Sequence, residues 1–167
     1  FHDFKDDADE VIRRSLDNDT WMVLVGSEYK TSNRALNYAN HYQHGVYAAV
    51  GLHPIHLEEQ TVANNDENGD YSFITRAEEF NYDTYEKLAK FEKVVAIGEI
   101  GLDYYHLDPT KNVNEAKRRQ QEVFLKQLVL ARNLDLPAII HCRQAHDDLL
   151  SILQDFRKVY ADFIPSD

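Results

Sequence analysis

Apolar positions alternate between two patterns along the chain. In KDDADEVIRRSLDN (5–18), Ala8, Val11, Ile12 and Leu16 recur at the spacing of one helix face, and the acidic start suits the positive end of a helix dipole. Trp21-Met22-Val23-Leu24-Val25-Gly26 is instead a short continuous apolar run, which predicts a strand buried on both faces, as in a parallel sheet. A helix over 32–43 and a second buried strand over 46–50 follow. Residues 58–80, including EEQTVANNDENGDY, break the pattern: they are polar, acidic and rich in turn formers, and read as a surface insertion. Beyond them the spacing predicts a helix at 81–91, a strand at 94–97, a helix at 113–133, a strand at 138–141 and a helix at 145–156. This alternation predicts an α/β fold, a parallel sheet with helices packed outside. A doubly wound sheet and a (β/α)8 TIM barrel both satisfy it. No Gly-rich phosphate fingerprint follows the first strand. A complete barrel takes about 250 residues, so this chain would supply its N-terminal half to two-thirds.

Composition narrows the function more than the fold. The 167 residues suffice for one domain, read here as a single unit over 1–167 carrying the 58–80 insertion. Net charge is −11, and most of the acidic excess lies in the first 90 residues. No basic face is visible, so a nucleic-acid role must rest on a local site. No apolar run approaches membrane-spanning length. One cysteine, Cys142, excludes an intrachain disulfide framework; with no N-terminal signal pattern, a cytoplasmic protein is expected. The chain opens Phe1-His2-Asp3-Phe4 without Met, so it reads as an internal piece of a protein of about 250–300 residues. Nothing in the pattern calls for an obligate protein partner.

In either architecture the C-terminal ends of the strands carry the chemistry. The strand at 46–50 runs into Gly51-Leu52-His53-Pro54, the strand at 94–97 into Gly98-Glu99-Ile100-Gly101-Leu102-Asp103, and the strand at 138–141 ends at His141-Cys142-Arg143. His53, Glu99 and His141 thus reach one edge, and imidazole with carboxylate is the donor set of hydrolytic metal sites. A strand-end histidine alone carries little weight; a carboxylate directly after a buried strand is costly without a partner. The remaining histidines (His2, His41, His44, His56, His106 and His146) read as surface residues, and Arg118 and Arg119 as solvent-facing helix positions. Cys142, adjacent to His141 on a strand, is expected to point away from the site. No Gly-x-Ser-x-Gly nucleophile elbow occurs.

VGLHP (50–54), AIGEIGLDYY (96–105), QEVFLKQLVLA (121–131) and LPAIIHCRQAHDDLL (136–150) together resemble the TatD family of metal-dependent deoxyribonucleases. The resemblance implies a TIM barrel with a metal centre at its C-terminal face, holding divalent ions, two in number and Mg, Mn or Zn by donor type. It implies a DNA substrate, single-stranded or entered from 3′ ends, cleaved by metal-activated water. Glu99 matches the family's metal-bridging carboxylate and His141 a metal-ligand histidine. His53 matches a histidine that approaches the substrate phosphate; Asp103 and Arg143 match further motif positions and are assigned to substrate. Glu99, His53 and Arg143 are the expected catalytic set. The family's His-x-His pair does not occur here and is expected before Phe1; a later histidine and aspartate are expected beyond residue 167. A metal-dependent hydrolase of a small amide, lactone or ester, or a non-catalytic barrel, stands as the alternative.

Overall fold

The computed structural model describes residue 4, residues 6–66 and residues 69–160. His2 lies outside them. Four parallel strands, β1 (Met22–Val25), β2 (Val46–Val50), β5 (Val94–Asp103) and β6 (Ala138–Arg143), form one sheet in the order β1-β2-β5-β6. Helices α1 (Ala8–Asp17), α2 (Tyr29–Asn40), α3 (Tyr82–Ala89), α4 (Val113–Asn133) and α5 (His146–Val159) precede, connect and follow the strands. Spatial order equals chain order, with no reversal. A doubly wound sheet needs a reversal at its switch point, so the arrangement is that of a partial (β/α)8 barrel.

Strand composition explains the layering. Val46, Ala48, Ala49, Val50, Ile97, Ile100 and Leu102 are almost wholly buried, joined from the helices by Tyr85, Phe124 and Leu130. Small residues bring backbones together where strands meet: a side chain at Gly51 would strike the backbone of Gly98, and one at Gly98 would strike Ile139. On α4 the buried positions Gln120, Val123, Phe124, Gln127, Leu128, Leu130 and Ala131 form a single stripe. Two of them are polar, and both reach backbone. Gln127 accepts from Leu52 N–H at 2.8 Å and donates to Leu52 C=O at 3.0 Å. Gln120 makes the same pair of bonds to Asp103, each at 2.8 Å. One helix therefore clamps the ends of β2 and β5.

The insertion differs from the irregular stretch expected at 58–80. It contains an antiparallel hairpin, β3 (Gln60–Asp66) paired with β4 (Gly69–Thr75). Its root is fixed: buried Thr75 donates to Glu58 C=O at 2.6 Å and accepts from Gln60 N–H at 3.0 Å. Strand β5 also runs on through Glu99 to Asp103, where a strand ending at Ile97 is expected; a register shift between Ile97 and Ile100 absorbs the Gly98-Glu99 step. Helix α2 begins three residues earlier than its apolar spacing suggests, because the Thr31 hydroxyl accepts from Glu28 N–H at 3.0 Å and so caps the first turn. Among the described residues no helix is long and apolar enough to cross a membrane.

Candidate functional site

Backbone bonds draw three strand ends together. Glu99 N–H donates to Gly26 C=O at 3.0 Å across the end of β1, and His53 N–H donates to Ser27 C=O at 2.9 Å. On the far side, Gly101 pairs with His141 and Asp103 with Arg143. Gly101 has φ +146°, and a side chain there would strike the His141 carbonyl, so this close β5–β6 approach requires glycine. Potential ligand atoms of His53, Glu99 and His141, one from each, all lie within 4.8 Å of one another. These are the three residues that strand ends and residue type single out in the sequence.

His141 is the hub. Its Nδ1 lies 3.2 Å from Glu99 Oε1, and its Nε2 lies 3.0 Å from Asp103 Oδ2. Asp103 also receives His106, through its backbone N–H at 3.1 Å and its ring Nδ1 at 2.8 Å. The His53 ring stands against the His141 ring, centroids 4.1 Å apart. His53 Nδ1 accepts from Ile55 N–H at 3.2 Å, which places the proton of the neutral ring on Nε2.

Electrostatics follow this geometry. Burial, reinforced by the charge on His141, lowers His53 to about 4, so it is neutral at pH 7. Burial alone would also lower His141, but its bonds to Asp103 and Glu99 overcome this and hold it up to about 9. Glu99 is held below its ordinary value, chiefly by the His141 hydrogen bond and against its own burial. Burial opposes ionisation of Asp103 as well, yet the bonds from His141 and His106 bring it down to about 2.

Two expectations change. Asp103, expected at the substrate, has a fully buried side chain whose carboxylate is taken by His106 and His141. It faces the histidines and not solvent. His56 and His106, expected at the surface, are both largely covered: His56 lies 4.0 Å from Glu28 with its side chain 11% exposed, and burial lowers its pKa. His41, His44 and His146 are exposed, and so is Arg118, whereas Arg119 is half-buried. Cys142 packs against the core, away from His141. Arg143 follows two residues after His141, on the same strand face, with its guanidinium against the Tyr105 ring. His106, Gln120 and Gln127 are structural partners of the site that the motif reading misses. The glutamines do carry a signal, two polar residues seven apart on an apolar helix stripe.

The donor set suits a divalent metal. A carboxylate and an imidazole nitrogen converge, and the histidine is oriented by a second, buried carboxylate, as metal-binding histidines commonly are. The family model described as TatD related DNase matches residues 1–164. The chain is 35% identical over 150 residues to an uncharacterized metal-dependent hydrolase, YabD, of Bacillus subtilis, covering 89% of this chain and 49% of that protein. It is 32% identical over 152 residues to the 3′-5′ ssDNA/RNA exonuclease TatD of Erwinia tasmaniensis, covering 90% and 50%. The crystal structure of the TatD homolog YjjV from Escherichia coli superimposes with a TM-score of 0.67 at 30% identity, over 93% of this chain and 52% of that one. The chain spans about half the length of the curated relatives it matches. With a family model matched from residue 1 to 164, the chain belongs to the TatD related DNase family.

Proposed function

We propose that this chain carries the catalytic edge of a metal-dependent hydrolase that cleaves phosphodiester bonds in single-stranded DNA, from 3′ ends. The observation that carries the reading is His141 held between Glu99 and Asp103 with the His53 ring against it. Glu99 and His141 hold one or two divalent ions, of Mg, Mn or Zn type. When bound, such an ion supplies Lewis-acid activation of water and offsets charge on the phosphoryl group. Asp103 occupies His141 Nε2, so Nδ1 is the nitrogen turned toward Glu99. His53, neutral and protonated at Nε2, donates to a phosphate oxygen and is not a ligand in this tautomer. Arg143 suits a two-point contact with phosphate. Residues 1–167 act as a single part of a barrel bearing the hairpin insertion, and Cys142 as a free thiol fits a cytoplasmic site of action.

The net charge of −11 favours a second reading, hydrolysis of an uncharged amide or lactone at the same centre. End-labelled single-stranded DNA separates the two, incubated with the full-length protein in Mg²⁺, in EDTA, and with Glu99→Ala. Metal-dependent loss of terminal nucleotides that disappears with the substitution supports the nuclease. DNA left intact with every divalent ion, beside cleavage of a lactone or amide, overturns it.

A further inference from the structure

Tyr105 stands just past the end of β5, beside the polar site, with 51% of its surface exposed. The Arg143 guanidinium carbon lies 3.8 Å from its ring centroid. Among the described residues, the guanidinium makes no ion pair or side-chain hydrogen bond, so its donors stay available. The ring is not loose. It meets His106 edge-on, centroids 4.9 Å apart and planes at 89°, and His106 is fixed by Asp103, which also holds His141. Arg143 lies two residues beyond His141 on the same face of β6, about 7 Å along the strand. That is close to the length of one nucleotide.

Resting on the nuclease reading, we infer that Tyr105 and Arg143 form a subsite for one unpaired nucleotide, the Tyr105 ring stacking its base and the guanidinium binding its phosphate. Arginine stacked on an aromatic ring is pre-oriented for phosphate. Base–aromatic stacking tolerates any base, because every base has a flat face to offer. In a duplex those faces are already stacked on neighbours, so the subsite selects single strands and frayed ends. A small amide or lactone has no use for it. The subsite also places strand specificity on Tyr105 and Arg143 and leaves the metal-facing atoms of Glu99 and His141 out of it.

The test is equilibrium binding by the full-length protein in a Glu99→Gln background, which prevents turnover, with Mg²⁺ present. One probe is a short single-stranded oligonucleotide with 2-aminopurine at its 3′ terminus, whose fluorescence falls on stacking. The other is the same strand with an abasic 3′ terminus. The base-bearing strand is expected to bind about 5- to 100-fold more tightly, the range of one base–aromatic stack. Tyr105→Leu removes that preference and the quenching; Tyr105→Phe, which keeps the ring, retains both. A Tyr105→Leu protein that still prefers the base-bearing strand overturns the subsite alone. A wild-type protein that neither binds nor shortens either strand in Mg²⁺ overturns the nuclease reading and the subsite with it.

Discussion

Gln127→Met isolates the clamp that aims His53. Met keeps the straight side chain and the helix propensity of Gln, so the substitution removes two hydrogen bonds and little else. It leaves the N–H and C=O of Leu52 without partners, at a residue 1% exposed. Each unsatisfied buried group costs about 1–3 kcal/mol, giving a destabilisation of about 2–6 kcal/mol. With a urea slope of about 2 kcal/mol/M, the unfolding midpoint falls by about 1–3 M while the slope itself is unchanged. His53 follows Leu52 directly, so activity on single-stranded DNA should fall in the folded variant too. Gln120→Met is the companion variant. Gln120 lies seven residues away, about 10 Å along the helix axis, so the two effects should add to within about 0.5 kcal/mol. A midpoint for Gln127→Met that gives less than about 0.5 kcal/mol of destabilisation would refute the clamp, since one lost bond alone should exceed it.

Three further outcomes follow from the site. Asp103→Asn removes the buried charge that orients His141 and should weaken Mn²⁺ binding about 10- to 100-fold by calorimetric titration, with secondary structure intact. In EDTA, His141 has a folded-state pKa of about 9, above its ordinary 6.5, so the stabilisation it brings is full below about pH 6.5 and lost as pH rises through about 9. Thermal midpoints of the metal-free protein should fall across that window, and His141→Gln should flatten the fall. Gly101→Ala forces a side chain onto the His141 carbonyl at φ +146° and should cost about 3 kcal/mol or more, read from the urea midpoint. Wild-type stability in that variant would mean that β5 and β6 can separate without loss.

The fold is legible where burial dictates residue type over several positions. The continuous apolar runs at 22–25 and 46–50 both form strands, but only β2 is covered on both sides: on β1 Val23 is 42% exposed, so the expectation of burial on both faces holds for the second run and not for the first. Strand β5 is harder, because Gly98-Glu99 interrupts an apolar run with the two residue types least expected in a buried strand. The strand continues because Ile100 and Leu102 resume burial and Asp103 is satisfied by histidines from two directions. The hairpin is harder still. Its strands run through polar residues, Gln60, Asn64, Asn65 and Asp66 on one and Asp70 and Ser72 on the other, which mask the alternation a strand usually shows. His53, Glu99 and His141 are visible because each closely follows a short apolar run, although Glu99 and His141 prove to lie within β5 and β6 and not at their ends. His106 is not: only the fold shows that a histidine three residues after Asp103 turns back onto its carboxylate.

Charge distribution reconciles an acidic chain with the phosphodiester substrate proposed for it. Asp6, Asp7, Asp9, Glu10 and Asp17 are exposed on and beside α1, and they line one surface recess. That helix packs where β2 begins: Leu16 lies against Gly45, and Asp9 accepts a hydrogen bond from Tyr42 at 2.8 Å. His53 lies where β2 ends. Five residues of strand separate the two edges, about 17 Å. At physiological salt the screening length is about 8 Å, so the α1 carboxylates contribute little to the field at the site. On the proposed reading, the groups at that edge are the His53 Nε2 proton, the Arg143 guanidinium and, on the neighbouring α4, Lys117 against the Tyr104 ring at 4.4 Å, beside the Glu99 carboxylate that a metal ion would neutralise. Net charge therefore weighs lightly against a phosphodiester substrate, and the edge on which each charge sits weighs heavily.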